Sequence, residues 1–233
     1  SLYVKLTQAF GQKNTYLLES VLGGERFGRF SFIGLPAKTV LRTVGTPDAP
    51  LTEVLFNDKV VESNHDNPLD FVDAYFKRFK VAVQPGLPRF CGGLAGYFGY
   101  DTVRYIESRL AKHHLPDELG VPDIQLMLTE ELAVIDNVAG RIYLIVYADP
   151  SVTDSFDKGQ ARLKELLACL SKPVSMPASL PSTKTELIRK FKAADFENAV
   201  LKTKEYILAG DCMQVVIGQR ISKPFTDSPL ALY

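Results

Sequence analysis

The chain has 233 residues, 46% of them hydrophobic, which is enough apolar surface to close a sizeable core and too much for a disordered segment. Its 27 basic residues balance its 27 acidic ones, so no net field draws it to nucleic acid or to an anionic membrane. No apolar run approaches the roughly 20 residues that cross a bilayer, and the opening residues alternate polar with apolar instead of forming a signal peptide. The expected setting is cytoplasmic, with small molecules and proteins as partners.

The first third reads as a meander of antiparallel strands. Thr15–Glu19 and Phe27–Gly34 are apolar runs split by Gly23 and Gly24; Thr39–Val44 and Glu53–Phe56 follow, punctuated by Gly45, Pro47, Pro50 and Asn57-Asp58. From Pro68 the period changes. Leu69, Val72, Phe76 and Phe79 recur at helical spacing, Asn67 suits the N-cap and Pro68 the first helical position, which predicts a helix of about three turns.

Gly92–Tyr100 is a glycine-punctuated apolar strand, and Ile124–Val134 with Arg141–Tyr147 flank Asp136-Asn137-Val138-Ala139-Gly140, a hairpin turn. A helix over Asp154–Ser171 carries Phe156, Leu163, Leu166, Leu167 and Leu170 on one stripe. Lys172–Thr185, with Pro173, Pro177 and Pro181 among many Ser and Thr, reads as a linker. Beyond it Asp195 is the expected cap of a helix that places Phe196, Ala199, Val200, Thr203 and Ile207 on one face and stops at Gly210. A strand is expected over Cys212–Ile221, with Gln214–Ile217 suited to burial on both faces.

Asp227–Tyr233 spells a helix start that one turn cannot sustain, and there is no initiator Met, so the chain reads as the N-terminal portion of a longer polypeptide. Cys91, Cys169 and Cys212 are few, distant and without ligand-like spacing, and are expected to be reduced thiols that serve packing. His113-His114 reads as an exposed loop, because adjacent imidazoles do not converge on one ion.

Leu17-Leu18-Glu19-Ser20 followed by Gly23-Gly24-Glu25-Arg26-Phe27-Gly28-Arg29-Phe30-Ser31-Phe32-Ile33-Gly34 resembles the effector segment of anthranilate synthase large subunits (component I). In that family the segment lines the pocket of the feedback inhibitor tryptophan. The resemblance implies that Glu19 and Ser20 meet its charged and polar groups, a carboxylate and a hydroxyl being suited to an ammonium ion. Phe27 stands where relatives often have Trp, which keeps the bulk and loses the indole donor. Arg29 and Ser31, two apart on a predicted strand, share a face and so suit one ligand, the competing reading being a solvated strand end.

Cys91-Gly92-Gly93-Leu94-Ala95-Gly96-Tyr97-Phe98-Gly99-Tyr100-Asp101 resembles an architectural segment of the same enzymes and of their aminodeoxychorismate counterparts. Its glycine spacing is wrong for a dinucleotide fingerprint, and close strand-to-helix approach is the expected reason for the glycines. Phe196–Val200 with Ile207–Arg220 resembles the entry to the chorismate-binding domain. Water-adding members of that superfamily carry lysine as general base at the place matched by Gln214. Glutamine cannot titrate, but it can orient ammonia, which needs no deprotonation. Gln214 is the predicted catalytic residue, against the alternative of a satisfied polar side chain at a strand edge. Val215-Val216 favours anthranilate synthase over aminodeoxychorismate synthase, and Gly218, where relatives often have Ser, departs from the pattern.

The resemblance implies an α+β fold, the chorismate-utilising α/β sandwich of large antiparallel sheets with helices outside, present here in truncated form. It implies an N-terminal region over residues 1–150 with the effector segment, a helix and linker over 151–185, and the start of the chorismate-binding domain over 186–233. The implied function is conversion of chorismate and ammonia to anthranilate and pyruvate in tryptophan biosynthesis, with L-tryptophan as inhibitor. The ammonia comes from a glutamine amidotransferase subunit (component II). The implied cofactor is Mg2+, its ligands falling beyond Tyr233, and the fragment alone is expected to be inactive. The alternatives are aminodeoxychorismate synthase component I and a non-catalytic effector-binding or docking module.

Overall fold

The computed structural model describes residues 2–19, 28–112, 117–175 and 185–233. Ser20, Gly23 to Phe27, His113-His114 and most of the predicted linker, with Pro177 and Pro181, lie outside the described residues. The chain forms two compact units, residues 1–175 and 176–233.

The first unit runs α1 (Leu2–Phe10), β1 (Tyr16–Leu18), β2 (Phe30–Gly34), β3 (Thr39–Thr46), β4 (Ala49–Phe56), β5 (Lys59–Asn64), α2 (Pro68–Phe76), β6 (Gly93–Phe98), a 3₁₀ turn (Tyr100–Tyr105), α3 (Ser108–Ala111), β7 (Ile124–Thr129), β8 (Glu131–Asp136), β9 (Arg141–Val146) and α4 (Ser155–Leu170). Its strands make two antiparallel sheets, ordered β1-β2-β8-β9 and β5-β4-β3-β7-β6. The class is α+β, as expected.

Helices cover one face of each sheet. Leu6 of α1 and Leu166 and Cys169 of α4 close a core on Ile33, Leu35 and Ala133 of the four-stranded sheet. Phe71 and Tyr75 of α2 close a second on Leu41, Val54, Ile124 and Leu126 of the five-stranded sheet. Burying large apolar side chains contributes about 1.5–3 kcal/mol each, so these two clusters dominate the favourable side of folding.

Several expectations meet corrections here. Ile124–Val134 is not one strand: it breaks at Glu130, and β7 and β8 go to different sheets. The apolar run is continuous because each half is buried, β8 on both faces, with Leu132, Ala133 and Val134 at 0% exposure. The opening residues form α1, since Leu2, Leu6 and Phe10 recur every four residues and the polar positions between them mimic alternation. Asn57 and Asp58 are left-handed, with φ of 47° and 66°, and turn the chain into β5, which the pattern did not announce.

The predicted cap at Asn67 is present, its side chain accepting from Leu69 N, but α2 stops at Phe76 and leaves Phe79 outside it. On α4 the buried line is Leu166 and Cys169, while Phe156 and Leu167 are 69% and 62% exposed. Of the expected stripe, Leu163, Leu166 and Leu170 are buried or half-buried, and Phe156 and Leu167 are not. Among the cysteines, Cys91 and Cys169 are buried, Cys212 is half-buried, and all three are free thiols.

The glycine reading holds with a change of neighbour. A Cβ at Gly93 would stand 3.4 Å from Phe76 of α2, the anticipated approach of strand to helix. At Gly96 it would stand 2.0 Å from the Gln125 carbonyl oxygen, so there the close approach is strand to strand, β6 on β7.

The second unit pairs β10 (Ile188–Arg189) with β11 (Ile221–Ser222) and carries α5 (Ala193–Ala209) and α6 (Pro229–Leu232). α5 begins before Asp195, with Lys192 at the N-cap; Asp195 stands in the first turn, where its charge complements the helix dipole. Gly210 ends the helix at φ 84°, as predicted. Cys212–Ile221 is not a strand. Only Ile221 enters a ladder, and Met213 and Val216 are 96% and 85% exposed. A strand exists only where a partner accepts its hydrogen bonds, and in the described residues of this unit Ile188–Arg189 is the one segment that does so.

The Gly96 contact generates a stability test. Gly96→Ala forces backbone to move and is expected to lower the unfolding free energy by about 3 kcal/mol in urea titration. Gly140→Ala, at φ 63° with open space around it, is expected to cost only about 1 kcal/mol.

Candidate functional site

Three of the four predicted effector residues lie close together on the four-stranded sheet. β1 pairs with β2 through Tyr16↔Gly34, Leu17↔Ile33 and Leu18↔Phe32, so Glu19 stands one residue past the last pair, toward Ser31. Glu19 is exposed and Ser31 is buried at 4% exposure. Ser20 lies outside the described residues.

Arg29 lies one residue before β2, which starts at Phe30. Its guanidinium stands 5.0 Å from the centroid of the Phe30 ring and reaches Asp136, the residue opposite Phe30. Nε donates to the Asp136 carboxylate oxygens at 3.0 and 3.1 Å, and Nη2 donates to Oδ2 at 2.6 Å. The Val138 and Ala139 N–H groups donate to Asp136 Oδ1 at 3.1 and 3.0 Å. Ser31 Oγ accepts from Asn137 Nδ2 at 3.1 Å.

Asp136 is 1% exposed, yet it is fully provided with donors. The Arg29 guanidinium foremost, and the turn N–H groups after it, hold its carboxyl at about 2. Sequence reasoning saw Asp136-Asn137 only as turn residues. The available signal was the carboxylate at a strand end opposite the arginine-bearing segment, which needs the β2–β8 register to be read.

A cleft of about 700 Å³ opens elsewhere in the first unit, over an apolar floor that includes Leu35, Leu128 and Val146, with Lys38, Lys158 and Glu130 on its walls. None of the predicted site residues lines it. Burial pushes the Glu130 carboxyl up; Lys38 opposes the shift and Glu131 adds to it.

Gln214 belongs to the second unit, in the irregular stretch after Gly210, and is exposed. Within the first unit the strand register brings Glu19, Arg29 and Ser31 near one another. Among the described residues no three His, Cys, Asp or Glu side chains converge on a metal position. No helix of the described residues is long and apolar enough to cross a membrane.

The sequence model of the chorismate binding enzymes matches residues 37–233. The chain belongs to that family. It is 50% identical over 236 aligned residues, covering 100% of this chain and 47% of the relative, to anthranilate synthase component 1 of Neisseria meningitidis serogroup B. It is 47% identical over 238 residues to the protein of that name from Pseudomonas aeruginosa, with the same coverage. The crystal structure of anthranilate synthase component I from Streptococcus pneumoniae superposes with a TM-score of 0.66 at 24% identity, over 92% of this chain and 45% of that one. The fold is thus that of the chorismate-binding enzymes, and the chain spans about half the length of the curated relatives it matches.

The Asp136 cluster has a pH signature. Its folded pKa lies below the ordinary 3.8, so its contribution is present above that value and is lost as pH falls toward 2. Asp136→Asn is expected to destabilise the chain clearly at pH 7. The gap to wild type should narrow as urea midpoints are measured from pH 4 downward; a gap that stays constant with pH would contradict the pairing.

Proposed function

We propose that this sequence is part of an anthranilate synthase large subunit, which turns chorismate and ammonia into anthranilate, pyruvate and water. The observation that supports it above others is the 50% identity to a protein of that name along the whole chain. The partner is a component II glutamine amidotransferase that releases ammonia, the setting is cytoplasmic, and L-tryptophan is the feedback inhibitor. Residues 1–150 carry the effector segment, 151–185 a helix and linker, and 186–233 the start of the catalytic domain.

In this reading Gln214 is the catalytic residue. Its side-chain amide holds no proton that titrates near neutrality, so it cannot generate hydroxide from water. Its carbonyl oxygen can accept from ammonia and aim the nitrogen lone pair at the ring carbon under attack. Glu19, Ser20, Arg29 and Ser31 form the inhibitor site, where an acidic and a hydroxyl side chain suit an ammonium group and a guanidinium suits a carboxylate. The family's Mg2+ would act as a Lewis acid on chorismate when bound.

The competing reading is aminodeoxychorismate synthase, and Val216 speaks against it. The deciding assay uses a polypeptide of the relatives' full length that carries this sequence, supplied with chorismate, ammonium and Mg2+. Growth of anthranilate fluorescence supports the proposal, and a non-fluorescent aminodeoxychorismate product supports the competitor. Gln214→Ala is expected to lower kcat roughly a hundredfold with little change in chorismate KM, the size of effect that lost orientation produces.

A further inference from the structure

The turn after β8 holds the start of β2 through more bonds than strand pairing requires. The ladder already joins the two strands from Phe30↔Asp136 to Gly34↔Leu132. Beyond it, Asp136 binds the Arg29 side chain, the Asn137 N–H donates to the Arg29 carbonyl at 2.8 Å, and the Asn137 amide donates to Ser31 Oγ. Two consecutive residues thus hold the Arg29 carbonyl, the Arg29 guanidinium and the Ser31 hydroxyl, from more than a hundred positions away in sequence.

A carboxylate at 1% exposure is costly unless every donor is in place, and a hairpin turn alone does not demand one. The far end of β2 has an independent anchor, because Ile33 and Leu35 lie in the core under α1 and α4. Loosening the turn would therefore release the leading edge of β2 and leave the core where it is.

We propose that Asp136 and Asn137 are positioning residues for the inhibitor site: they fix Arg29 and Ser31 in place and so set tryptophan affinity without touching the ligand. The inference rests on the effector reading given above. Positioning of this kind acts on inhibition and leaves turnover alone, which a purely structural role would not do.

The test uses the full-length enzyme that carries this sequence, with ammonium as nitrogen source and L-tryptophan as the titrant. Asp136→Asn and Asn137→Ala are each expected to raise the half-inhibiting tryptophan concentration roughly tenfold, the loss that goes with a charge-assisted or buried hydrogen bond. Uninhibited kcat and chorismate KM should stay within about twofold, well inside the scatter of remote substitutions. Asn137→Asp, whose carboxylate can accept the Ser31 O–H, should remain near wild type. Asn137 is exposed, so its variants report even where Asp136→Asn folds poorly.

Unchanged inhibition of Asp136→Asn and Asn137→Ala, beside a wild type that tryptophan does inhibit, overturns the positioning role alone. A fall in kcat that tracks a fall in melting temperature assigns the pair to structure and also overturns it. A wild type that makes anthranilate and ignores tryptophan overturns the effector reading together with this inference.

Discussion

One residue, Glu130, stands between two strands that belong to different sheets, and the first unit is organised around that crossing. β7 ends at Thr129 as a member of the five-stranded sheet, and β8 begins at Glu131 in the four-stranded one. The chain can change sheets in so short a space only if the polar groups at the crossing find partners. The Glu130 carbonyl accepts from Tyr147 N at 2.9 Å, and the Glu131 carbonyl accepts from Leu35 N at 3.0 Å. Arg162 of α4 pairs with the Glu131 carboxylate and stands 4.1 Å from the centroid of the Phe10 ring of α1, so both helices of the four-stranded sheet meet at the same place.

From that crossing the candidate inhibitor site follows. β8 runs antiparallel to β2 and delivers Asp136 opposite Phe30, at the end of β2 that Arg29 leads into. The turn that follows must reverse the chain into β9, and its N–H groups are aimed at the Asp136 carboxylate. The arginine adds its guanidinium to the same carboxylate. A group that would be prohibitive to bury alone becomes the fixed point of the strand end, because low exposure strengthens each bond it makes.

Catalysis is a different matter physically. Gln214 is exposed, in an irregular stretch of the second unit. The role proposed for it rests on family membership across residues 37–233. The start of β2, by comparison, is held by bonds to Asp136 and Asn137 that the structure shows one by one.

Local signals in the sequence were dependable where the physics is local. The Asn67 cap and Pro68 start of α2, the left-handed Gly210 after α5, the tight turn before β9 and the α+β class were all legible, because each depends on one residue's own backbone preference or on apolar spacing within a few turns. The three family signatures were legible for the same reason: they are contiguous. Only the tertiary structure decided that Ile124–Val134 is two strands, that α4 turns Leu166 and Cys169 inward instead of Phe156, that Cys212–Ile221 has no ladder, and that Arg29 answers to Asp136. Each of those is settled by a partner far away in sequence, since hydrogen-bond ladders and buried charges are completed by whatever the fold brings opposite, and a single chain segment does not carry that information.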